Sequence, residues 1–336
     1  MANLRDVRLR MRAIRQTLQV TKAMNLISTA KLRKGRRVLE DTEPFFTRIQ
    51  KSMFDILSGA GGKGMDTGGK GMDAGRVESD FFRGTGAGGK GNDAGGRGTD
   101  AGGKGNDAGG KGNDAGGRSR SAVVVITSDK GLAGGYNANI CRQASSLCER
   151  LNNPILILIG SIGYRYFIHS PLLILENFSF RSQMPTVENA KEIADYIVSQ
   201  FLWGMFDEVH VVYTHMYSSI KLLPTERHIL PLDLERMQAE LSRQEGQKRV
   251  ELQFEYLPSA GKVFDALAPF YIKGIIYGCL VESYVSEQSA RMAAMDEASK
   301  SAEDMLASLQ VNYNRVRQAG ITQEMSEIVG GAAALQ

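Results

Sequence analysis

The chain has 336 residues, 42% of them hydrophobic and 23% charged, with a formal net charge of +4. That content can bury the core of one large or two moderate domains. No run approaches the eighteen or so uninterrupted apolar residues of a membrane helix, and Cys141, Cys148 and Cys279 lack C-x-x-C spacing or a histidine cluster, so the sequence argues against a bilayer span, a zinc site and a disulfide framework and favours a reducing compartment.

From Asn3 to about Leu57 the pattern is helical, broken by one glycine, Gly35, and one proline, Pro44. Apolar residues at Leu4, Val7, Met11, Ile14 and Leu18 alternate steps of three and four, as a coiled-coil seam does. The helix is basic: eleven lysines or arginines stand between Met1 and Arg37 against Asp6 alone, an asymmetry that needs a partner. Gly59 to Arg118 is low complexity, a GG[KR]GxD[AT] repeat of seven-residue period interrupted by VESDFFRG at Val77 to Gly84. From Ser121 to about Tyr256, the runs AVVVIT, PILILIG and EVHVVYT alternate with helical patterns at Ala138 to Leu151 and Val187 to Phe201. Strands alternating with helices predict an α/β domain with a mostly parallel sheet.

From about Gly261 to Gly330 a second long helical pattern carries Met292, Met295, Ser299, Ala302, Leu306, Leu309, Tyr313 and Val316 in the same three-four stepping. A stripe of that length needs another helix to cover it, and the first zone supplies one. Its basic flank would face Glu282, Glu287, Asp296, Glu297, Glu303 and Asp304, making the charge asymmetry partly an internal complement. The fold expected is therefore α/β with a long antiparallel coiled coil of the N- and C-terminal helices and an inserted Rossmann-like domain. Its parts are residues 1–58 (N-terminal helix), 59–118 (glycine-rich insertion, expected to be a disordered tether), 119–258 (α/β domain) and 259–336 (C-terminal helix).

The glycine-rich zone imitates a phosphate loop, because a glycine stands five positions before a Gly-Lys pair. A functional loop needs Ser or Thr after that lysine, a preceding strand and a following helix. At Lys70, Lys90, Lys104 and Lys111 the next residue is glycine. A calcium-binding repeat fails too, since the period is seven rather than nine and no large apolar residue recurs to pack a core. The segment TSDKGLAGGYN, Thr127 to Asn137, follows a strand and precedes a helix as a dinucleotide-binding turn would, but Gly131, Gly134 and Gly135 do not form G-x-G-x-x-G. A tight turn packing helix on sheet is the favoured reading, with Asp129 and Lys130 as turn charges. His169, His210, His215 and His228 are scattered without metal-ligand spacing, and no triad is recognisable. The residues point to no catalytic group, cofactor or metal. Against a targeting segment, the N-terminal seam outruns a cleavable presequence; against a DNA-binding basic helix, no separate zipper follows the basic residues.

Three blocks carry a family resemblance: MANLRDVRLRMRAIRQTLQVTKAMNLISTAKLRK, VVVITSDKGLAGGYNANI, and RMAAMDEASKSAEDMLASLQVNYNRVRQAGITQEMSEIVGGAAAL. In this order they resemble the gamma subunit of rotary F-type ATP synthase. The resemblance covers everything except Gly59 to Arg118. It implies a non-catalytic central shaft whose paired terminal helices turn inside a ring of alpha and beta subunits, while the α/β domain contacts epsilon and the c-ring. It implies a peripheral place on the cytoplasmic side of a bacterial plasma (inner) membrane, with no nucleic acid bound. Met24 of VTKAMN matches the family's coupling methionine. Arg317, Gln318, Thr322 and Glu324 of RQAGITQE match the polar cluster facing the beta subunits. The chain departs from the family pattern at Ala133, where cysteine is common, at Lys300 and Ser301, where asparagine is frequent, and in the glycine-rich zone. Cys141 and Cys148, seven apart on one expected helix, read as packing residues rather than a regulatory pair. The alternative from another class is a free-standing basic coiled-coil protein that binds an acidic partner such as nucleic acid.

Overall fold

The computed structural model describes residues 4–61, 79, 81, 120–151, 154–179, 184–218, 221–232, 257 and 259–334. The glycine-rich repeats fall outside these residues. In chain order the elements are α1 (Leu4–Gly61), β1 (Ser121–Ile126), α2 (Tyr136–Arg150), β2 (Ile155–Ile159), α3 (Ser161–Phe167), β3 (Leu173–Phe178), α4 (Val187–Leu202), β4 (Glu208–Met216), β5 (Leu222–Leu230) and α5 (Ala260–Ala334).

The long helices form because their seams cover each other. Val7, Met11, Thr21, Ser28, Leu32 and Gly35 on α1 are buried, continuing the three-four stepping of the sequence; on α5 so are Met295, Ser299 and Ala302. Contacts count up along α1 as they count down along α5: Arg8 meets Tyr313, Thr21 meets Ser299, and Asn25 meets Met292. The pair is therefore antiparallel. At Gly35 the helices approach so closely that an added Cβ would lie 2.7 Å from Val285 Cγ2, a contact no side chain could occupy without displacing the other helix. Pro44 and Pro269 lie inside the helices. The N-terminal helix runs to Gly61, a few residues past the end expected from the composition change. The α5 helix contains a stretch long and apolar enough to cross a membrane, but half of it is buried within the protein, as a core helix requires.

The sheet has strand order β3-β2-β1-β4-β5. The first four strands are parallel and β5 is antiparallel to β4. Strands β1 and β2 read as continuous apolar runs because both faces are covered. Val123, Val125, Leu156 and Leu158 face α2 and α3. Ala122, Val124, Ile126, Ile157 and Ile159 face the other core, shared with α4 and α5. The long C-terminal helix therefore has two partners: it pairs with α1 from the level of Phe46 and Gly274 upward, and its lower part also closes the sheet. Phe81, from the VESDFFRG interruption, is 5% exposed in the same core and accepts a backbone hydrogen bond from Leu232 at 2.8 Å. The turn after β2 depends on Gly160, whose φ is +96° and whose missing Cβ would sit 2.3 Å from Thr127 O.

Candidate functional site

Three levels of the helical pair are candidates for function. The middle level is a set of polar rungs across the seam. Ser299 Oγ donates to Thr21 Oγ1 at 2.8 Å in a buried setting, Asn25 Nδ2 donates to Met292 O at 3.2 Å, and Lys22 pairs with Glu303 at 2.6 Å on the surface. Met24 lies at this level, half-buried on α1 beside Asn25. Polar rungs within an apolar seam fix register at some cost in stability.

The upper level is the end of α5. The register of the pair places Leu4, the first described residue of α1, level with about Val316, so residues 317–334 extend past it, about 27 Å of helix at 1.5 Å per residue. Every described side chain from Arg317 to Gly331 is exposed. Arg317, Gln318, Thr322 and Glu324 thus share one projecting helical end, where Thr322 Oγ1 donates to its own helix at Gln318 O (2.9 Å). Ile321, Met325, Ile328 and Val329 form an apolar stripe there, each more than half exposed. The structure does not bring Met24 to this cluster, which lies roughly 30 Å farther along the axis by the same rise.

The lower level is the junction of α5 with the sheet, which sequence reasoning did not single out. Glu287 and Arg291 form a buried pair one helical turn apart at 2.6 Å. Arg291 Nη2 also donates to Lys130 O and Gly131 O, both at 3.1 Å, so the TSDKGLAGG turn is docked on α5. Tyr136 OH donates to Ser283 O, Ser286 Oγ donates to Thr214 O, and His215 pairs with Glu282. Burial raises the Glu287 carboxyl pKa, opposed by Arg291; burial likewise raises Glu282, opposed by His215. The Tyr136 phenol is also pushed up, first by burial and then by the Glu287 charge. The available signal was a Glu and an Arg four apart among small residues, EQSAR.

The charge complement between the helices is partial, and Lys31 of α1 also acts on the Glu287 carboxyl. Of the acids placed on that flank, Glu303 pairs across the helices, while Glu282, Glu287 and Asp296 turn to His215, Arg291 and Lys300. Asp129 accepts from Ser161 N, Ser161 Oγ and Ser179 Oγ, tying the β1 turn to the start of α3. His210 is buried between Glu226 at 3.1 Å and Glu208 at 3.5 Å. Cys141 and Cys148 pack inside α2's buried face, and burial pushes both thiols up to about 11, which keeps them protonated and unreactive. Among the described residues no group of His, Cys, Asp and Glu is arranged to hold a metal ion.

A family model described as ATP synthase matches residues 3–335. The chain is 36% identical to the ATP synthase gamma chain of Acetivibrio thermocellus, with all of both chains covered. It is 31% identical to the sodium ion specific ATP synthase gamma chain of Acetobacterium woodii, with 99% of each covered. In fold it is similar to a chain of the Euglena gracilis mitochondrial ATP synthase OSCP/F1/c-ring structure (TM-score 0.58, 14% identity, 99% of this chain and 94% of that one). It is also similar to one from the central stalk/c-ring of the Tetrahymena thermophila enzyme (TM-score 0.53, 20% identity, 83% and 99% covered).

Proposed function

The chain belongs to the ATP synthase gamma-chain family, and from that premise we propose that it is the central shaft of a rotary ATP synthase, making and breaking no bond itself. The observation that carries this is the projecting end of α5: residues 317–331 have no cover among the described residues while presenting an apolar stripe beside a polar cluster. A single helix exposing such a stripe needs a surrounding partner. A ring of alpha and beta subunits supplies a sleeve for it, the apolar residues providing smooth contact and Arg317, Gln318, Thr322 and Glu324 acting as catches on the beta subunits. Met24 acts lower down, where the polar rungs hold both helices in one register so that torque is carried by the pair. Epsilon and the c-ring engage the end that carries the α/β domain, which places the complex at the cytoplasmic face of a bacterial plasma membrane.

In this reading the shaft's physical requirement is stiffness. The seam, the rungs and the Arg291 junction make one unit of α1, α5 and the sheet, so rotation imposed on the domain reaches the bare tip. The test is Met24→Lys in the assembled complex in membrane vesicles. ATP hydrolysis and assembly are expected to persist while ATP-driven pumping falls several-fold. Pumping equal to that of the parent complex would remove Met24 from the coupling role, and failure of the chain to co-purify with alpha, beta and epsilon subunits would sink the shaft reading.

A further inference from the structure

The end of α2 farther from the docked β1 turn carries an ionic chain outside the three levels of the helical pair. Arg150, in the last turn of α2, donates to Glu226 Oε2 of β5 at 2.9 Å. The other oxygen of that carboxylate lies 3.1 Å from Nδ1 of His210 on β4, and His210 Nε2 faces Glu208 Oε2 at 3.5 Å. Glu208 in turn accepts from Ser121 Oγ on β1 at 3.5 Å. The β4–β5 register shifts between Val209 and His210, and an irregularity of that kind re-aims a side chain; the His210 ring stands edge to face with that of His228 across the ladder, 5.0 Å between centres.

His210 is 8% exposed, so little water reaches its ring. Each ring nitrogen faces a carboxylate oxygen, and an ionised carboxylate only accepts hydrogen bonds. Both nitrogens donate in the imidazolium form alone, because neutral imidazole has one N–H and one lone pair. A lone pair facing an anion in a poorly solvated place is repelled with little screening. The other charges around the ring come from each neighbouring element: Glu226 and the half-buried His228 on β5, Arg150 on α2 with exposed Glu149 beside it, and Asp207, which accepts from Arg120 N just before β1 and β4 begin. With His210 charged, the chain from Arg150 through Glu226 and His210 to Glu208 sets two cations against two anions; without that proton it is left negative.

We infer that His210 is a proton-operated clasp joining β4, β5 and α2. Charged, it holds Glu226 and Glu208 to one ring and completes the chain of contacts from Arg150 to Ser121. Histidine is the side chain whose charge changes around neutral pH. As pH rises and the ring gives up a proton, the shorter contact keeps its N–H at Nδ1, and Glu208, whose side chain is 40% exposed, turns to water. The start of β4 is thereby loosened. The opposite end of α2 is unaffected, since the turn before it is docked by Arg291, whose guanidinium does not lose its charge.

The test takes the full-length chain, 15N-labelled in histidine, from pH 5.5 to 9 and resolves the two ring nitrogens of His210 by long-range 1H–15N spectra. Amide hydrogen exchange along β4 and β5, corrected for its intrinsic pH dependence, is followed in parallel. Both nitrogens are expected to carry hydrogen at the acid end and Nδ1 alone at the alkaline end, with protection at Val209 and His210 falling about fivefold between them. In Glu208→Ala, a change at a side chain open enough to leave the fold intact, protection should stay at the lower level throughout. A ring that does not change its protonation over this range overturns the inference, as does hydrogen retained at Nε2 instead of Nδ1. So does protection that is independent of pH in the parent, or that falls equally in Glu208→Ala. The readout is the isolated chain, so it stands or falls separately from the shaft role.

Discussion

Arg291 is nine-tenths buried and directs its guanidinium to Glu287 and to two carbonyls of the β1 turn. Removing it leaves the Glu287 carboxylate and both carbonyls without that partner, so Arg291→Ala is expected to cost about 3–5 kcal/mol, measured by chemical denaturation of the full chain. Glu287 itself gives a pH signature. Burial holds its folded-state pKa above the unfolded value, so the folded chain retains a proton that the unfolded chain releases. The associated stability is present below about pH 4 and is lost as pH rises through the raised folded value. Glu287→Gln should therefore flatten the decline of stability on the alkaline side of pH 4, and identical pH profiles for parent and variant would refute the assignment. At Gly160 both the positive φ and the 2.3 Å approach of Thr127 O forbid a side chain; Gly160→Ala is expected to lose about 2 kcal/mol or more, read as a shifted denaturation midpoint.

At the scale of elements, the two long helices have different claims on stability. The α1 helix is held by α5 along its seam, and Gly35 marks the closest approach, against the rigid, fully buried Val285. Gly35→Leu would force the helices apart and is expected to cost about 3 kcal/mol, the upper part of the overpacking range. Beyond Val316 α5 has no such partner within the described residues. Truncation after Val316 should therefore change the stability of the isolated chain by less than about 1 kcal/mol, since exposed residues contribute little. A large loss of stability on truncation would mean that the tip packs on this chain after all.

For the whole molecule, the same truncation is expected to act in the opposite sense. If the projecting end is the part of the shaft that the ring engages, an assembled complex carrying it loses coupled pumping although the chain folds normally. Normal pumping by the truncated complex would confine the coupling contacts to the level of Met24. The architecture explains how a chain with two helices at its ends and a sheet between them can act as one body. The α5 helix covers the sheet and pairs with α1 over the same stretch, so among the described residues domain and shaft share one core.

The helical pair was legible because a coiled-coil seam is a local, periodic property: Leu4 to Leu18 and Met292 to Val316 state it in the sequence, and each stripe requires a cover. The parallel sheet was legible for a like reason, since AVVVI and ILILI can be apolar at every position only when both faces are buried. Met24, Arg317, Gln318, Thr322 and Glu324 were assigned by a family pattern alone and their roles rest on the experiments above; the structure adds only their spacing, with Met24 far along the axis from Glu324. Charge partners were not legible. Glu287 and Glu282 read as part of an acidic flank for α1, yet they turn inward to Arg291 and His215. The sequence by itself determined which elements form and which faces they must bury, because periodicity and burial are encoded locally. Only the tertiary structure decided which ionic groups meet and where the glycines allow close approach. Several of those contacts join segments far apart in the chain, as Lys130 and Arg291 are, and no local pattern records them.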